Sequence, residues 1–193
     1  MGDIDIVESV LAKDGVLLAG VRAEQLTAPT PCPDYAVQAL VNHIVGWSQV
    51  FAAAANGQPF EGDAASFVST DAVAEFQASA AELVAGWRAG GVDRTVSLVG
   101  PDMPAQMVLN MTLMEYVTHG CDLAVATGQT VPFSEEELEV TLERARATLP
   151  EQFRGEGKPF GPMIDVAANA PALDRLFGFM GRRAASPESV APA

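Results

Sequence analysis

The longest apolar stretch of the chain runs from residue 107 to residue 126, and three acidic or basic side chains interrupt it. These are Glu115, His119 and Asp122, which share one stripe of a helix because they are four and three residues apart. A helix facing lipid would not tolerate this stripe, since ionisable groups are costly in hydrocarbon. The segment is therefore predicted to lie in a bundle of helices, with its polar stripe facing inward.

Apolar residues recur at helical spacing in several other segments, separated by stretches rich in proline and glycine. We predict helices over residues 4–21, 34–56, 71–89, 104–127, 134–149 and 171–180. Asp34 is expected to cap the second helix, and Ser134 with Glu137 forms a capping box for the fifth. Residues 94–98 are expected to form a short strand or an extended connection. The pattern predicts one all-α domain over residues 1–183 and a disordered tail at 184–193.

The charge balance excludes several classes of partner. The chain has 11 Lys and Arg against 25 Asp and Glu, a formal net charge of -14. Binding to nucleic acid or to an anionic membrane surface requires clustered cations, so neither is expected. The first residues lack a basic region followed by an apolar stretch, which predicts a cytoplasmic protein. The oligomeric state is left open by the sequence, and a homodimer is one of the states it allows.

The two histidines of the chain both fall on apolar faces of predicted helices. His43 lies on the apolar side of the second helix, while His119 follows Glu115 by one helical turn. Burying a carboxylate without a partner lowers the stability of the fold by about 1–3 kcal/mol or more. Glu115 therefore requires a partner. A divalent metal held by two imidazoles and a carboxylate would supply one. The alternative, which the spacing alone favours over a metal, is a structural cluster in which Glu115 accepts hydrogen bonds from both histidines.

Other polar and aromatic residues near these positions have less specific patterns. Asp122 can reach the second ring nitrogen of His119 and fix its tautomer, or it can face solvent near the helix end. Cys32 and Cys121 are expected to be buried free thiols, because two cysteines make no disulfide framework. Trp47 and Trp87 are expected in the core rather than on a substrate surface.

Three segments resemble a known family of proteins. Residues 30–46 read TPCPDYAVQALVNHIVG, residues 115–128 read EYVTHGCDLAVATG, and a weaker third motif extends from Phe160 to Arg182. Together they are similar to the DinB-like metal-binding proteins. The branch they resemble is named after the N-terminal domain of mycothiol-dependent maleylpyruvate isomerase, and the third motif is similar to the ending of short actinobacterial members.

The resemblance implies a fold, a metal site and a type of chemistry. The implied fold is a bundle with four core helices and additional C-terminal helices. The implied ligands of the metal are His43, Glu115 and His119. Asp122 would orient the ring of His119 without contacting the metal itself. The metal is usually zinc, and nickel, iron or manganese also suit these donors. In characterised members it activates a low-molecular-weight thiol such as mycothiol, so the implied partners are a small thiol and an electrophilic substrate.

The resemblance does not identify the substrate of this protein. The isomerase carries a further C-terminal domain that contributes to its active site, and this chain is expected to lack one, so maleylpyruvate isomerase activity is not expected to transfer. Two functions remain: a metal-dependent thiol transferase or isomerase, and a non-catalytic, stress-associated metal-binding protein. No residue is identified as the catalytic acid or base.

Overall fold

The computed structural model describes residues 2–155, 158 and 160–183. These residues form an all-α fold with one very short sheet, as the sequence predicts, and the predicted tail at 184–193 lies outside them. The helices are α1 (Asp3–Ala19), α2 (Val37–Ala55), α3 (Ala72–Gly90), α4 (Ala105–Thr127), α5 (Glu135–Thr148) and α6 (Ala172–Phe179); the strands are β1 (Thr95–Val96) and β2 (Met103–Pro104).

The first four helices form the bundle, and the last two extend it. Helix α2 packs on α3 and α4, and α1 packs on α3 and α4. Helix α5 then covers α4, and α6 packs on α5. Trp87, Tyr116 and Phe76 are the largest side chains fully buried in the core. Helix α4 is buried around most of its circumference, because it contacts α1, α2 and α5, and this explains its long apolar sequence.

Local signals set three of the helix ends. The Asp71 side chain accepts a hydrogen bond from the Ala74 amide at the start of α3. Gly128 ends α4 in the left-handed region, at φ 66°, which favours glycine. The predicted capping box of α5 is present, with Ser134 accepting from the Glu137 amide and Glu137 accepting from the Ser134 amide.

One predicted helix start is wrong. Helix α2 begins at Val37 rather than after Asp34, because residues 29 and 36 first pair as an extended bridge. Helix α4 begins at Ala105, one residue after its predicted start, because Pro104 belongs to strand β2, where it pairs with Thr95. The pairing of β1 with β2 confirms the short strand predicted within residues 94–98. This hairpin leads directly into α4, and the Ala105 amide donates to the Arg94 carbonyl.

The fold also bears on the two cysteines and on the question of a membrane span. Cys32 and Cys121 are both buried free thiols, as predicted. Among the described residues, no helix has both the length and the apolar character needed for a membrane span.

Candidate metal centre

Helices α2 and α4 bring the three predicted ligands together. His43 on α2 faces Glu115 and His119 on α4, and one donor atom from each lies within 4.8 Å of the other two. The Nε2 atom of His43 is 2.6 Å from Oε1 of Glu115, and Nε2 of His119 is 3.6 Å from the same oxygen. The two imidazole rings meet edge to face, with centroids 4.9 Å apart. Both Nε2 atoms therefore point at one carboxylate oxygen.

The other nitrogen of His43 is held by a residue from the preceding loop. The hydroxyl of Tyr35 lies 2.9 Å from Nδ1 of His43. A phenol can donate or accept, so it can pair with this nitrogen in either tautomer of the ring. Tyr35 thus fixes the orientation of the ring and keeps Nε2 directed toward Glu115.

The other nitrogen of His119 is held by a buried ion pair. Nδ1 of His119 is 3.0 Å from Oδ2 of Asp122. Asp122 is fully buried, and Arg182 donates to it from both Nε and Nη2 at 3.0–3.2 Å. Arg182 also donates to the Met180 carbonyl. A chain of hydrogen bonds therefore links the segment after α6 to the candidate ligand His119.

The electrostatics of Glu115 favour its charged form. Burial by itself would raise the pKa of this carboxyl, but the neighbouring His119 and the hydrogen bond from His43 outweigh it and lower the pKa to about 2. Burial and the nearby charge of Glu115 together raise the pKa of Tyr35 to about 12. At neutral pH Glu115 is therefore a carboxylate, while Tyr35 keeps its proton.

The donor set fits a divalent cation. Imidazole nitrogen and carboxylate oxygen are common zinc ligands, and bond lengths of about 2.0–2.2 Å put neighbouring ligands of a tetrahedral ion roughly 3.3 Å apart. The two Nε2–Oε1 separations of 2.6 and 3.6 Å bracket that value. Both histidines also have their second nitrogen hydrogen-bonded, as metal-bound histidines usually do.

A second group of donors, formed by Cys32, His119 and Asp122, fits a cation less well. Its ligand atoms also lie within 4.8 Å of one another. However, the guanidinium of Arg182 already takes both oxygens of Asp122 and places a positive charge beside the group. Burial raises the pKa of the Cys32 thiol, although Arg182 acts against this. We therefore assign the candidate metal centre to the three residues predicted from the sequence.

The candidate metal centre opens into a cavity of about 530 Å³. A larger, open groove of about 850 Å³ lies between α1 and α3, but its lining contains no histidine or cysteine. The chemistry therefore favours the smaller cavity, which lies within the usual range for ligand pockets, about 300–1,000 Å³. Trp87 is buried in the core as predicted, whereas Trp47 is only half-buried and lines this cavity, so the prediction for Trp47 is wrong.

Two residues at the site were not assigned a role from sequence. Tyr35 is eight residues before His43 in an irregular loop, where helical spacing gives no information. Arg182 is 60 residues from Asp122 along the chain, so no local pattern connects them. The available signal for both was their position inside the motifs at residues 30–46 and 160–182.

Comparison with models of protein families gives a match over more than half of the chain. Residues 15–124 match the family model described as the mycothiol maleylpyruvate isomerase N-terminal domain. The chain belongs to this family. Two uncharacterized proteins of Mycobacterium tuberculosis, from the CDC 1551 and H37Rv strains, are each 37% identical over 169 residues, covering 86% of this chain and 90% of theirs.

A solved structure supports the fold of this family member. The crystal structure of a histidine-to-alanine mutant of the mycothiol-dependent maleylpyruvate isomerase matches with a TM-score of 0.58. The match covers 82% of this chain and 72% of the isomerase, at 14% sequence identity. At this identity the likeness establishes the DinB-like fold alone, and the isomerase's activity is not carried over by it.

Proposed function

We propose that this member of the family is a metal-dependent enzyme that transfers a low-molecular-weight thiol, of the mycothiol type, to a small electrophile or uses it to isomerise one. The observation that carries the proposal is the convergence of His43, Glu115 and His119 at the wall of a cavity large enough for small molecules. The membership of the family supports a thiol as the partner. Zinc is the expected metal; nickel, iron or manganese suit the same donors.

Each part of the site has a task in this proposal. A bound divalent metal would stabilise a thiolate at neutral pH, where a free thiol is mostly protonated. Glu115 supplies negative charge to the metal, and the two Nε2 atoms supply neutral ligands. Asp122 and Tyr35 hold the two rings. Because Tyr35 keeps its proton at neutral pH, it can also donate a hydrogen bond to a developing negative charge on a substrate.

The first experiment measures metal content in protein purified without a histidine tag. We expect about one metal per chain in the wild type and a large loss in His119→Ala and Glu115→Gln. Glu136→Gln is the matched control, because Glu136 is an exposed carboxylate on α5. Wild-type protein with no metal after reconstitution with zinc would contradict the proposal at its first step.

The second experiment tests the thiol. We expect calorimetry to detect binding of mycothiol to the zinc-loaded protein, and we expect His119→Ala to abolish it. Turnover is then measured with electrophiles by following the loss of free thiol. Stoichiometric metal without thiol binding or turnover would support the second candidate from the sequence, a non-catalytic metal-binding protein.

A further inference from the structure

The cavity beside the candidate metal centre has an apolar side. Trp47 and Phe51 follow His43 on α2 by one and two helical turns, and their rings are 5.9 Å apart. Met111 and Met114 come before Glu115 on α4, and all four side chains line the cavity. We call these four residues the apolar arm. None of them carries a charge, and the indole N–H of Trp47 is their only hydrogen-bond donor.

The opposite side of the donors is polar. Thr118 and Asp122 follow Glu115 on α4, and the chain segment before α2 meets them there, since the Tyr35 and His119 rings are 5.9 Å apart. Thr118 is about 10 Å from Met111 along the helix axis, given a rise of about 1.5 Å per residue. We call Cys32, Tyr35, Thr118 and Arg182, which all line the cavity, the polar arm. The candidate ligands therefore stand between two chemically different compartments.

An unsatisfied hydroxyl marks the polar arm. Thr118 is 1% exposed, and its Oγ1 has no hydrogen-bond partner within the described part of the chain. Buried hydroxyls nearly always have a partner, so this atom is suited to a polar group of a bound molecule. The other polar groups near Thr118 are already engaged, since the Tyr35 hydroxyl pairs with His43, and Arg182 and His119 both pair with Asp122.

The apolar arm selects against charge. A charged or strongly polar group placed among Trp47, Phe51 and the two methionines would lose its hydration and find no charged partner, with only the indole N–H of Trp47 as a donor. An alkyl or aryl group would gain free energy there, because it leaves water for a surface of rings and thioethers. Methionine also adapts its shape to different apolar groups, so a range of substituents can be accommodated.

We propose that the electrophile is an uncharged molecule with an apolar tail, that this tail occupies the apolar arm, and that the thiol occupies the polar arm next to Thr118. The inference rests on the proposed function. With a terminal epoxide, the thiol sulfur forms a bond to the terminal carbon and the C–O bond of the ring breaks. The ring oxygen then takes the proton that the thiol released, so the product is an uncharged hydroxy thioether.

The test of specificity uses one reactive group with different tails. Zinc-loaded protein and mycothiol are assayed with glycidol, 1,2-epoxybutane, 1,2-epoxyhexane and 1,2-epoxyoctane. We expect kcat/KM to rise roughly two- to fourfold for each added CH₂ that is buried. Glycidol, in which a hydroxyl replaces the last methyl of epoxybutane, is expected to be the poorest substrate. An equal kcat/KM for all four would overturn the proposal.

Two variants on one helix locate the tail. Met111 is partly buried on the cavity wall, and Met107 is exposed one turn earlier and lies outside the cavity lining. We expect Met111→Glu to flatten the dependence on tail length, and Met107→Glu to leave it as in the wild type. If both variants kept the wild-type dependence, the tail would not lie in the apolar arm.

A binding measurement separates this inference from the proposed function. Calorimetry with 1-butanol, 1-hexanol, 1-octanol and 1,6-hexanediol on the zinc-loaded protein needs no turnover. We expect affinity to rise with chain length and the diol to bind at least about tenfold more weakly than hexanol. If alkanols bind in this way but no epoxide is consumed, the result supports an apolar binding site at the apolar arm and contradicts the proposed thiol transfer. If the diol binds as well as hexanol, the apolar arm is refuted even where turnover is seen.

Discussion

Arg182 affects both the stability of the fold and the geometry of the candidate metal centre. It is 7% exposed, and its guanidinium neutralises Asp122, which is fully buried. An ion pair taken out of water gains little overall, but losing one partner leaves an uncompensated charge in the interior. The pair also decides how Asp122 presents Oδ2 to His119. Stability and the orientation of a candidate ligand are therefore coupled at one side chain.

We predict that Arg182→Met lowers the free energy of unfolding by about 3–5 kcal/mol, because Asp122 remains buried without its cation. Urea denaturation followed by circular dichroism measures this change. Arg183→Met is the control, since Arg183 is exposed. Adding Asp122→Asn to Arg182→Met should restore part of the loss, because the two residues interact directly. Equal stability of Arg182→Met and Arg183→Met would refute the importance of the ion pair.

At the scale of elements, the interface of α1 with α4 contains a buried acid. Asp14 on α1 is 1% exposed, and its carboxyl oxygens have no hydrogen-bond partner among the described residues. Gly120 on α4 allows this close approach, because a Cβ there would collide with Oδ1 of Asp14. Burial raises the pKa of Asp14 well above its usual value, and the cation of Lys13 opposes this.

The raised pKa of Asp14 predicts a pH dependence of stability. In the unfolded chain this carboxyl ionises near pH 4, whereas in the fold it keeps its proton to a higher pH. Its contribution is therefore complete below about pH 4 and is lost as the pH rises, by at most about 1.4 kcal/mol per unit. We expect Asp14→Asn to gain stability relative to the wild type as pH rises from 4 to 7, in urea titrations with a chelator present. Asp102→Asn, at an exposed carboxyl, should show no such trend.

The start of α5 is a second test at this scale. Ser134 accepts a hydrogen bond from the Glu137 amide, and Glu137 pairs in turn with Lys13 of α1. We predict that Ser134→Ala lowers the free energy of unfolding by about 1 kcal/mol, the usual value for a lost helix cap. Thermal unfolding measures the change. Thr130→Ala, on an exposed residue of the same loop, should unfold at the wild-type temperature.

At the scale of the whole molecule, metal binding and folding are expected to be linked. A ligand that binds only the folded chain stabilises it by about 2.7 kcal/mol at a free concentration about 100 times its Kd. We therefore predict that zinc raises the unfolding midpoint of the wild type and leaves that of His119→Ala unchanged. We also expect far-ultraviolet circular dichroism and tryptophan fluorescence to report a single transition, as the prediction of one domain over residues 1–183 requires. Two separate transitions would contradict that prediction.

The sequence predicted the parts of the molecule that local spacing determines. Helical spacing placed His43 on one apolar face and Glu115 with His119 on another, and the resemblance of the two motifs to the family joined them into one predicted site. The capping box at Ser134 is equally local, since four consecutive residues define it. Spacing along one helix gives no information about contacts with distant segments, which is why the role of Arg182 was missed. At residue 34 a local signal was overridden, because the bridge between residues 29 and 36 delays the start of α2.

Because Arg182 follows all three candidate ligands along the chain, it also has a consequence for the order of assembly. All three candidate ligands are made by residue 119, so helices α2 and α4 can meet while the rest is still being synthesised. Asp122 receives its cation only when the segment after α6 arrives and docks. Until then a buried carboxylate beside His119 has no counter-charge. The support of the candidate metal centre is thus complete only once the chain has been made as far as Arg182, and a chain broken before that residue would hold the three ligands without the cation that positions Asp122 against His119.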